Sequence, residues 1–123
     1  MLQQEKADDF VLATGETQSV RDFCSLAFKD LGVELEFNGE GVEEKAIDKA
    51  NGNVVIEIDS RYFRPTEVDL LIGDASKARK ELGWVPSYTF QDLVKEMVKA
   101  DYELFKKDVY LKEGGHGVLN FHE

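Results

Sequence analysis

The amino-acid sequence predicts a single α/β domain. Three observations support this fold class: a short apolar run that ends in glycine, two short segments near the middle of the chain that suit β-strands, and helical segments that carry capping residues. The chain has 123 residues, of which 42% are hydrophobic. That length supplies one hydrophobic core and is too short for two domains.

The chain opens with a predicted strand and a predicted helix. Residues 10–14 are mainly apolar and do not alternate with polar residues, which is typical of a strand covered on both faces in a parallel sheet. Ser19 is suited to cap the helix that follows, with Asp22 as the acid of a capping box. Gly32 is suited to end that helix. The order of strand, turn and helix indicates an α/β protein.

Two further strands are predicted in the middle of the chain. Residues 33–37 alternate strictly between apolar and acidic side chains, which predicts a half-buried strand, and residues 54–58 predict another. Residues 38–53 lie between them and are rich in glycine, asparagine and charged residues. They predict a surface loop with at most one helical turn.

Two helices are predicted in the second half of the chain. Asp74 is suited to cap a short helix that Gly83 ends. Thr89 and Asp92 form a second capping-box pair, which predicts the start of a final helix. Apolar residues recur at helical spacing along that final helix and give it one apolar face.

The C-terminal segment is predicted to be a tail. Residues 109–123 contain three glycines and two histidines, so we expect the folded lobe to comprise residues 1–108. His116 and His122 are candidate metal ligands by residue type, but their spacing is not helical and the segment is terminal. We therefore predict no metal site there.

The charge balance excludes two classes of partner. The chain carries 25 acidic and 15 basic residues, a formal net charge of −10. Nucleic acids and anionic membrane surfaces are repelled by that charge, so neither is expected to bind. Residues 1–60 carry 5 basic and 14 acidic residues, whereas residues 61–123 carry 10 and 11. An anionic small molecule is therefore expected to bind to the second half.

Cysteine usage and the N-terminus indicate the cellular compartment. Cys24 is the single cysteine of the sequence, so a disulfide framework and a thiolate metal cluster are excluded. No apolar run approaches the roughly 20 residues that span a bilayer. The first residues do not resemble a signal peptide. We therefore expect a cytoplasmic protein.

Arg64 and Glu67 are the candidate ligand-binding residues. An arginine forms two parallel hydrogen bonds with a diphosphate, and a carboxylate accepts hydrogen bonds from two adjacent sugar hydroxyls. Pro65 fixes an extended backbone at Arg64, so both side chains are expected to lie near one opening. Spacing alone favours the alternative, in which the two residues form an exposed ion pair in a loop.

Tyr102 and Lys106 have the spacing of a catalytic Tyr-x-x-x-Lys pair. On a helix that spacing places the hydroxyl and the ammonium on one face, where the lysine can make the tyrosine a general base. The sequence offers no evident serine or threonine partner, so a solvated helix face is the favoured interpretation. No glycine-rich dinucleotide-binding turn is present either. We predict no catalytic and no cofactor-binding residue in this chain.

Several motifs resemble the C-terminal part of the GDP-mannose 4,6-dehydratases. The most specific is Arg-Tyr-Phe-Arg-Pro-Thr-Glu-Val-Asp at residues 61–69. Further similar segments are residues 8–21, 73–78, 82–86, 93–98 and 119–123. This family belongs to the extended short-chain dehydrogenase/reductase group. The resemblance implies that residues 10–14 form a late strand of a Rossmann sheet, and that the remaining residues form a small α/β substrate-binding lobe.

The resemblance also implies a function. These enzymes use NADP to convert GDP-mannose into GDP-4-keto-6-deoxymannose, the precursor of GDP-fucose and related deoxysugars. The family's NADP-binding turn and catalytic Tyr-x-x-x-Lys lie upstream of the segments found here. The resemblance therefore implies a C-terminal substrate-binding fragment that is inactive alone and holds no NADP by itself. By the same resemblance, Arg64 binds the diphosphate, and Glu67 binds the ribose hydroxyls or the adjacent nucleotide.

Two alternatives remain open on the sequence alone. The chain is similar enough to other nucleotide-sugar enzymes to be the substrate lobe of an epimerase or of another dehydratase. It is also compatible with a stand-alone, non-catalytic binding or interaction module. In each case a strand at residues 10–14 without its neighbours exposes a sheet edge, from which we expect homo-oligomers.

Overall fold

The computed structural model describes residues 1–66 and 71–115. These residues form an α/β arrangement, as the sequence predicts. The elements are α1 (Val20–Asp30), β1 (Leu35–Asn38), a short 3-10 helix (Gly41–Glu43), β2 (Lys45–Asp48), β3 (Val54–Glu57), α2 (Ser76–Leu82) and α3 (Phe90–Glu113).

The three strands form one antiparallel sheet in the order β1-β2-β3. β1 and β3 confirm the strands predicted at residues 33–37 and 54–58, with small shifts of their ends. The prediction of a loop throughout residues 38–53 is wrong, because β2 lies within it and pairs with both neighbours. Ala46 of β2 is 1% exposed. A four-residue strand with two charged ends has too little apolar pattern to stand out from flanking turn residues.

Side chains cap the two long helices at the residues that the sequence predicts. The Ser19 hydroxyl accepts a hydrogen bond from the backbone N–H of Asp22 at the start of α1. The capping box predicted there is only half formed, because the Asp22 carboxylate does not return the bond. At the start of α3, Thr89 and Asp92 make both bonds of a capping box. These bonds satisfy backbone groups that the first helical turn leaves without partners.

The short helix α2 differs slightly from its prediction. Asp74 accepts a hydrogen bond from the Ser76 backbone N–H at 2.9 Å, while Ala75 occupies the capping position itself. Gly83 ends the helix as predicted, with a φ of +65°. A left-handed residue at this point is where glycine has no steric penalty.

Two expectations about the ends of the chain are not met. Residues 10–14 are not assigned to a strand, and the described residues provide no sheet neighbour for them. A strand of a parallel sheet needs such neighbours for its backbone hydrogen bonds. At the other end, α3 continues to Glu113, five residues into the segment expected to be a tail. The division into a lobe and a tail is not otherwise tested.

Few side chains are fully buried in the described part of the chain. They are Ala46, Ala75, Ala78 and Val94. The total accessible surface is 10,701 Å², against about 6,700 Å² expected for a compact monomer of this mass. The chain therefore has an open shape and a small core. No helix in the described ranges is long and apolar enough to cross a membrane.

Helices α1 and α3 pack against each other. The rings of Phe23 and Phe90 lie 6.2 Å apart at a tilt of 54°, within the range of favourable aromatic pairs. Val94, one turn further along α3, is 2% exposed and lines a groove that it shares with Leu26 of α1. This contact fixes the direction of α3.

Candidate functional site

The loop after β3 carries the candidate ligand-binding arginine. Its first turn is closed by Asp59, which accepts hydrogen bonds from the backbone N–H of Arg61 at 2.9 Å and from its guanidinium at 2.6 Å. The Arg61 guanidinium also lies 5.4 Å from the centre of the Tyr62 ring. Arg61 is therefore engaged in holding the loop.

The Asp59–Arg61 pair shifts the titration of both groups. The hydrogen bond from Arg61 lowers the pKa of the Asp59 carboxyl, and the same bond raises the pKa of Arg61. Both charges are therefore retained across the physiological range. Because both side chains are exposed, the pair orders the loop more than it stabilises the fold.

Arg64 follows this turn at an exposed position. The preceding Phe63 lies against the turn between β1 and β2, where a side chain at Gly41 would come within 3.8 Å of its ring. Asp59 and Phe63 thus both hold the loop on the side that precedes Arg64. Glu67 lies outside the described residues, so the structure does not test its expected proximity to Arg64.

A cleft of about 680 Å³ lies between the N-terminal segment and the α2–α3 connection. It is bordered by residues 12–18 on one side and by residues 84–93 on the other. Trp84, Tyr88 and Phe90 contribute aromatic rings, and Glu16 and Gln18 contribute polar groups. Its size and composition suit an apolar or aromatic group. Arg64 does not line this cleft.

Lys77 of α2 holds the N-terminal segment in place. Its ammonium donates to the Asp8 carboxylate at 2.7 Å and to the Asp9 carbonyl at 2.9 Å, and it lies 4.8 Å from the centre of the Phe10 ring. The hydrogen bond lowers the pKa of Asp8 and raises the pKa of Lys77. Sequence reasoning missed this contact, since the partners are 69 residues apart and no local pattern connects them.

The N-terminal segment also contacts the chain just before α2. The Thr17 hydroxyl donates to the Leu71 carbonyl at 3.2 Å. A Cβ atom on Gly73 would lie 2.5 Å from the Cβ of Ala13, so only glycine allows the two backbones to approach this closely. Residues 11–13 therefore run beside Gly73 without forming a strand.

Cys24 lies in a second, smaller cleft between α1 and the sheet, of about 300 Å³. Arg21 and Glu44 form a two-pronged ion pair at its edge, with one hydrogen bond of 2.8 Å. Burial raises the pKa of the Cys24 thiol, which keeps it protonated at neutral pH. A protonated, partly buried thiol packs as an apolar group rather than acting as a nucleophile.

The remaining candidates contribute no chemical site to the described structure. Tyr102 is 55% exposed on α3, and Lys106 is exposed one turn further on. His116 and His122 lie outside the described residues. Within residues 1–66 and 71–115, no group of three or more His, Cys, Asp or Glu side chains is placed to hold a metal ion.

Comparison with known proteins identifies the family. The model of the GDP-mannose 4,6 dehydratase family matches residues 1–97. The chain belongs to this family. The match contains the N-terminal segment, the loop with Arg64 and the start of α3.

Curated relatives agree with the family assignment. The chain is 53% identical to a GDP-mannose 4,6 dehydratase of Drosophila melanogaster over 88% of its own length. It is 54% identical to one of Sinorhizobium fredii over 82% of its length, and 46% identical to one of Vibrio cholerae over 96%. It spans 27%, 29% and 34% of these three relatives, respectively. The chain thus matches about a third of a dehydratase.

Proposed function

We propose that this chain supplies part of the GDP-mannose-binding surface of a GDP-mannose 4,6-dehydratase. The reaction is the conversion of GDP-mannose into GDP-4-keto-6-deoxymannose, an NADP-dependent elimination of water. The observation that carries this proposal is the Arg-Pro-Thr-Glu sequence at residues 64–67 of a chain that belongs to the family. Support comes from the exposed position of Arg64 after the turn that Asp59 closes.

In this proposal Arg64 binds the diphosphate. Its planar guanidinium suits two phosphate oxygens at once, which a lysine does not match. The loop is already ordered by the Asp59–Arg61 contact, so little conformational freedom remains to be lost when the ligand binds. The less negative second half of the chain favours an anionic ligand at this end.

Glu67 has the complementary role in the same proposal. A carboxylate accepts hydrogen bonds from two neighbouring hydroxyls, as on a ribose, or from N–H groups of the adjacent nucleotide. It follows Arg64 by three residues across Pro65. Charge neutralisation by the arginine and hydroxyl recognition by the glutamate together position the sugar for reaction elsewhere in the enzyme.

NADP does not fit the residues of this chain. A dinucleotide phosphate is held by several glycines in a turn between a strand and a helix. Before α1 the chain has one glycine, Gly15, followed by the acidic Glu16. We therefore assign no part of the hydride transfer to these residues and place the cofactor with another part of a dehydratase.

A hybrid dehydratase tests this proposal. It is the Vibrio cholerae relative with its matching third replaced by the present chain. Its affinity for GDP-mannose is measured by titration calorimetry. We expect Arg64→Ala to weaken binding by about 2–3 kcal/mol, the loss expected for a charged bidentate contact. Arg79→Ala is the matched control, because it removes the same charge from an exposed arginine on α2, outside the loop that carries Arg64.

The two variants separate the possible results. A large loss with Arg64→Ala and a small one with Arg79→Ala supports the proposed role. Equal losses of affinity in the two variants would mean that Arg64 contributes only general positive charge to the binding of GDP-mannose. An unchanged affinity in Arg64→Ala would refute the role, and a preference of the hybrid for UDP- or dTDP-sugars would point to another nucleotide-sugar enzyme.

We also propose a cytoplasmic location and self-association. The lone Cys24 suits a reducing compartment. Val11 and Leu12 are 55% and 50% exposed in residues 10–14, a segment with no strand neighbour among the described residues, which supports homo-oligomers formed through this segment. Light scattering of the chain at increasing concentration tests the second point, and a monomer throughout would contradict it.

A further inference from the structure

The sequence contains two Asn-Gly pairs, and each lies in a turn of the three-stranded sheet. Asn38 and Gly39 lie where β1 ends, and Asn51 and Gly52 lie between β2 and β3. All four residues are exposed. Asparagine is a thermolabile residue, and a glycine after it has no side chain to shield the backbone nitrogen that reacts with the amide. Both pairs therefore meet the sequence requirement for deamidation.

Deamidation at an Asn-Gly pair is a reaction within the chain. The backbone nitrogen of the glycine attacks the side-chain amide carbon of the asparagine, and the new C–N bond closes a succinimide ring. The C–N bond to the side-chain nitrogen breaks, and that nitrogen leaves as ammonia together with the proton from the glycine N–H. Water then opens the ring at either of its two carbonyls, which gives aspartate or isoaspartate. The reaction therefore needs no oxidant, no reductant and no enzyme.

Hydrogen bonds hold both reacting groups of the pair between β2 and β3. The Gly52 N–H donates to the Asp48 carbonyl at 2.8 Å, so the nitrogen that would attack is directed at Asp48. The Asn51 side-chain oxygen accepts a hydrogen bond from the Asn53 N–H at 2.9 Å, which holds the amide that would be attacked. Ring closure at Asn51 must break both hydrogen bonds, and each of them slows the reaction.

The reacting groups of the pair after β1 are not held in this way. Among residues 1–66 and 71–115, neither the Gly39 N–H nor the Asn38 side chain has a hydrogen-bond partner. Asn38 is the last residue of β1, where it is paired with Lys45. Because strand ends open more readily than strand centres, only this terminal pair has to open before the ring can close.

We propose that Asn38 is a site of spontaneous isoaspartate formation that opens the end of the β1–β2 pair, and that the turn between β2 and β3 protects Asn51 from the same reaction. The two sites share their residue types, their exposure and their place in a sheet turn. They differ in the hydrogen bonds that hold the reacting groups, so the fold rather than the sequence selects the site. The proposal does not depend on the role of Arg64.

Isoaspartate at residue 38 changes the turn in two ways. It adds one carbon atom to the backbone, which displaces Gly39 from its close contact with Glu43, where a Cβ atom would lie 2.6 Å from the carbonyl oxygen. The same shift moves residue 38 out of register with Lys45. It also adds a carboxylate to a turn that already contains Glu40 and Glu43. The extra backbone atom is the larger of these changes, because exposed charges affect stability little.

Ageing of the chain in its folded and unfolded states tests the choice of site. The chain is incubated in a mildly alkaline buffer with and without guanidinium chloride, and isoaspartate is followed on each peptide by mass spectrometry. We expect Asn38 to react at least about fivefold faster than Asn51 in the folded chain. In guanidinium chloride the two rates should agree within about twofold, because the protecting hydrogen bonds are lost. Asn38→Ser should remove most of the isoaspartate from the folded chain.

Three results would overturn the choice of site. Asn51 could react as fast as Asn38 in the folded chain, which would mean that its hydrogen bonds give no protection. Asn38 could stay intact in the folded chain while it reacts in guanidinium chloride. The preference for Asn38 could also be as large in guanidinium chloride as in buffer, in which case the neighbouring sequence, and not the fold, would select it.

The effect on the sheet is tested with the purified isoaspartyl form. Asn38→Asp is the matched control, because it adds the same charge without the extra backbone atom. We expect the isoaspartate to raise the equilibrium constant for unfolding by at least about tenfold, through the lost strand pairing. Asn38→Asp should raise it by less than about threefold, as for other exposed substitutions. Urea denaturation measures both, and equal stability of the two forms would overturn the proposed opening of the β1–β2 pair.

Discussion

The three-stranded sheet and the helical side of this molecule differ in how far their backbone and apolar groups find partners within the chain. The sheet is built from strands that follow one another in sequence, and β2 finds partners on both edges within the same short stretch of chain. The helical side combines α2, α3 and an N-terminal segment through contacts between residues far apart, such as Lys77 with Asp8. It also leaves apolar side chains of α3 exposed, among them Leu93, Met97 and Leu104.

The sheet is therefore related to the folding of the chain itself, and the helical side to its assembly with other polypeptide. Hydrogen bonds between adjacent strands satisfy the sheet locally, so its formation requires no other polypeptide. An extended segment without strand neighbours and a helix with two apolar faces are typical of surfaces that become buried on assembly. The exposed Arg64 loop follows the self-contained part, directly after β3.

The largest expected effect is a loss of stability caused by a substitution beside the sheet. Gly39 has a φ of +89°, and a Cβ there would lie 2.6 Å from the carbonyl oxygen of Glu43. We expect Gly39→Ala to lower the free energy of unfolding by about 3 kcal/mol, from left-handed strain plus the clash. Gly52→Ala is the control, because Gly52 has a φ of +72° with open space around it, and should cost only about 1 kcal/mol. Urea denaturation measures both, and equal losses would contradict the clash.

The next largest effect compares the loss of stability from a substitution on the buried face of α3 with that from one on its exposed face. We expect Val94→Ala to cost about 2 kcal/mol, because it removes buried methyl groups from the contact with α1. Leu93→Ala deletes a larger side chain, but one that is 48% exposed, and should cost less than about 0.5 kcal/mol in the isolated chain. Urea denaturation compares them. A reversed order would show that Leu93 is already covered within the chain.

A smaller effect concerns the start of α3. We expect Thr89→Ala to destabilise the chain by about 1 kcal/mol, because it removes the hydroxyl of the capping box. Thr89→Ser keeps that hydroxyl and should retain most of the stability. Thermal unfolding followed by circular dichroism distinguishes the two variants, and equal losses would mean that the cap does not matter here.

The smallest effect concerns pH and the N-terminal segment. The hydrogen bond from Lys77 lowers the pKa of Asp8, so the contact is complete above the usual carboxyl range and is lost as the pH falls through that lowered pKa. The raised pKa of Lys77 preserves the contact until the pH rises through it on the alkaline side. Both groups are exposed, so global stability should hardly change.

The resonances of the Phe10 ring report this contact, because Lys77 lies over the ring. We expect their chemical shifts to change in acid with an apparent pKa below the ordinary value for an aspartate. Asp8→Asn should remove that transition and leave the rest of the spectrum unchanged. A transition at the ordinary aspartate value in the wild type would show that Lys77 and Asp8 are not paired.

The parts of the fold that the sequence predicts correctly are those that depend on interactions between neighbouring residues. The caps at Ser19 and Thr89 and the helix end at Gly83 each depend on a few neighbouring residues, and all three are confirmed. Strand β2 was missed because four residues among turn formers carry too little pattern. The strand predicted at residues 10–14 is not assigned, because its apolar composition indicates cover on both faces and the described residues do not supply that cover.

The candidate site was predictable only in part. Residue type and the proline after Arg64 are compatible with a phosphate-binding arginine, but its spacing to Glu67 alone favours an ordinary ion pair. The resemblance to a family, not the spacing, favoured ligand binding. The contact between Lys77 and Asp8 gives no sequence signal, since only the folded chain brings the two residues together.

A crystal structure of the hybrid dehydratase with bound GDP-mannose tests the proposed role of Arg64 most directly. We expect both outer nitrogens of the Arg64 guanidinium within about 3 Å of diphosphate oxygens, the distance of charge-assisted hydrogen bonds. An Arg64 side chain directed away from the nucleotide sugar, with the diphosphate held entirely by other residues, would contradict it.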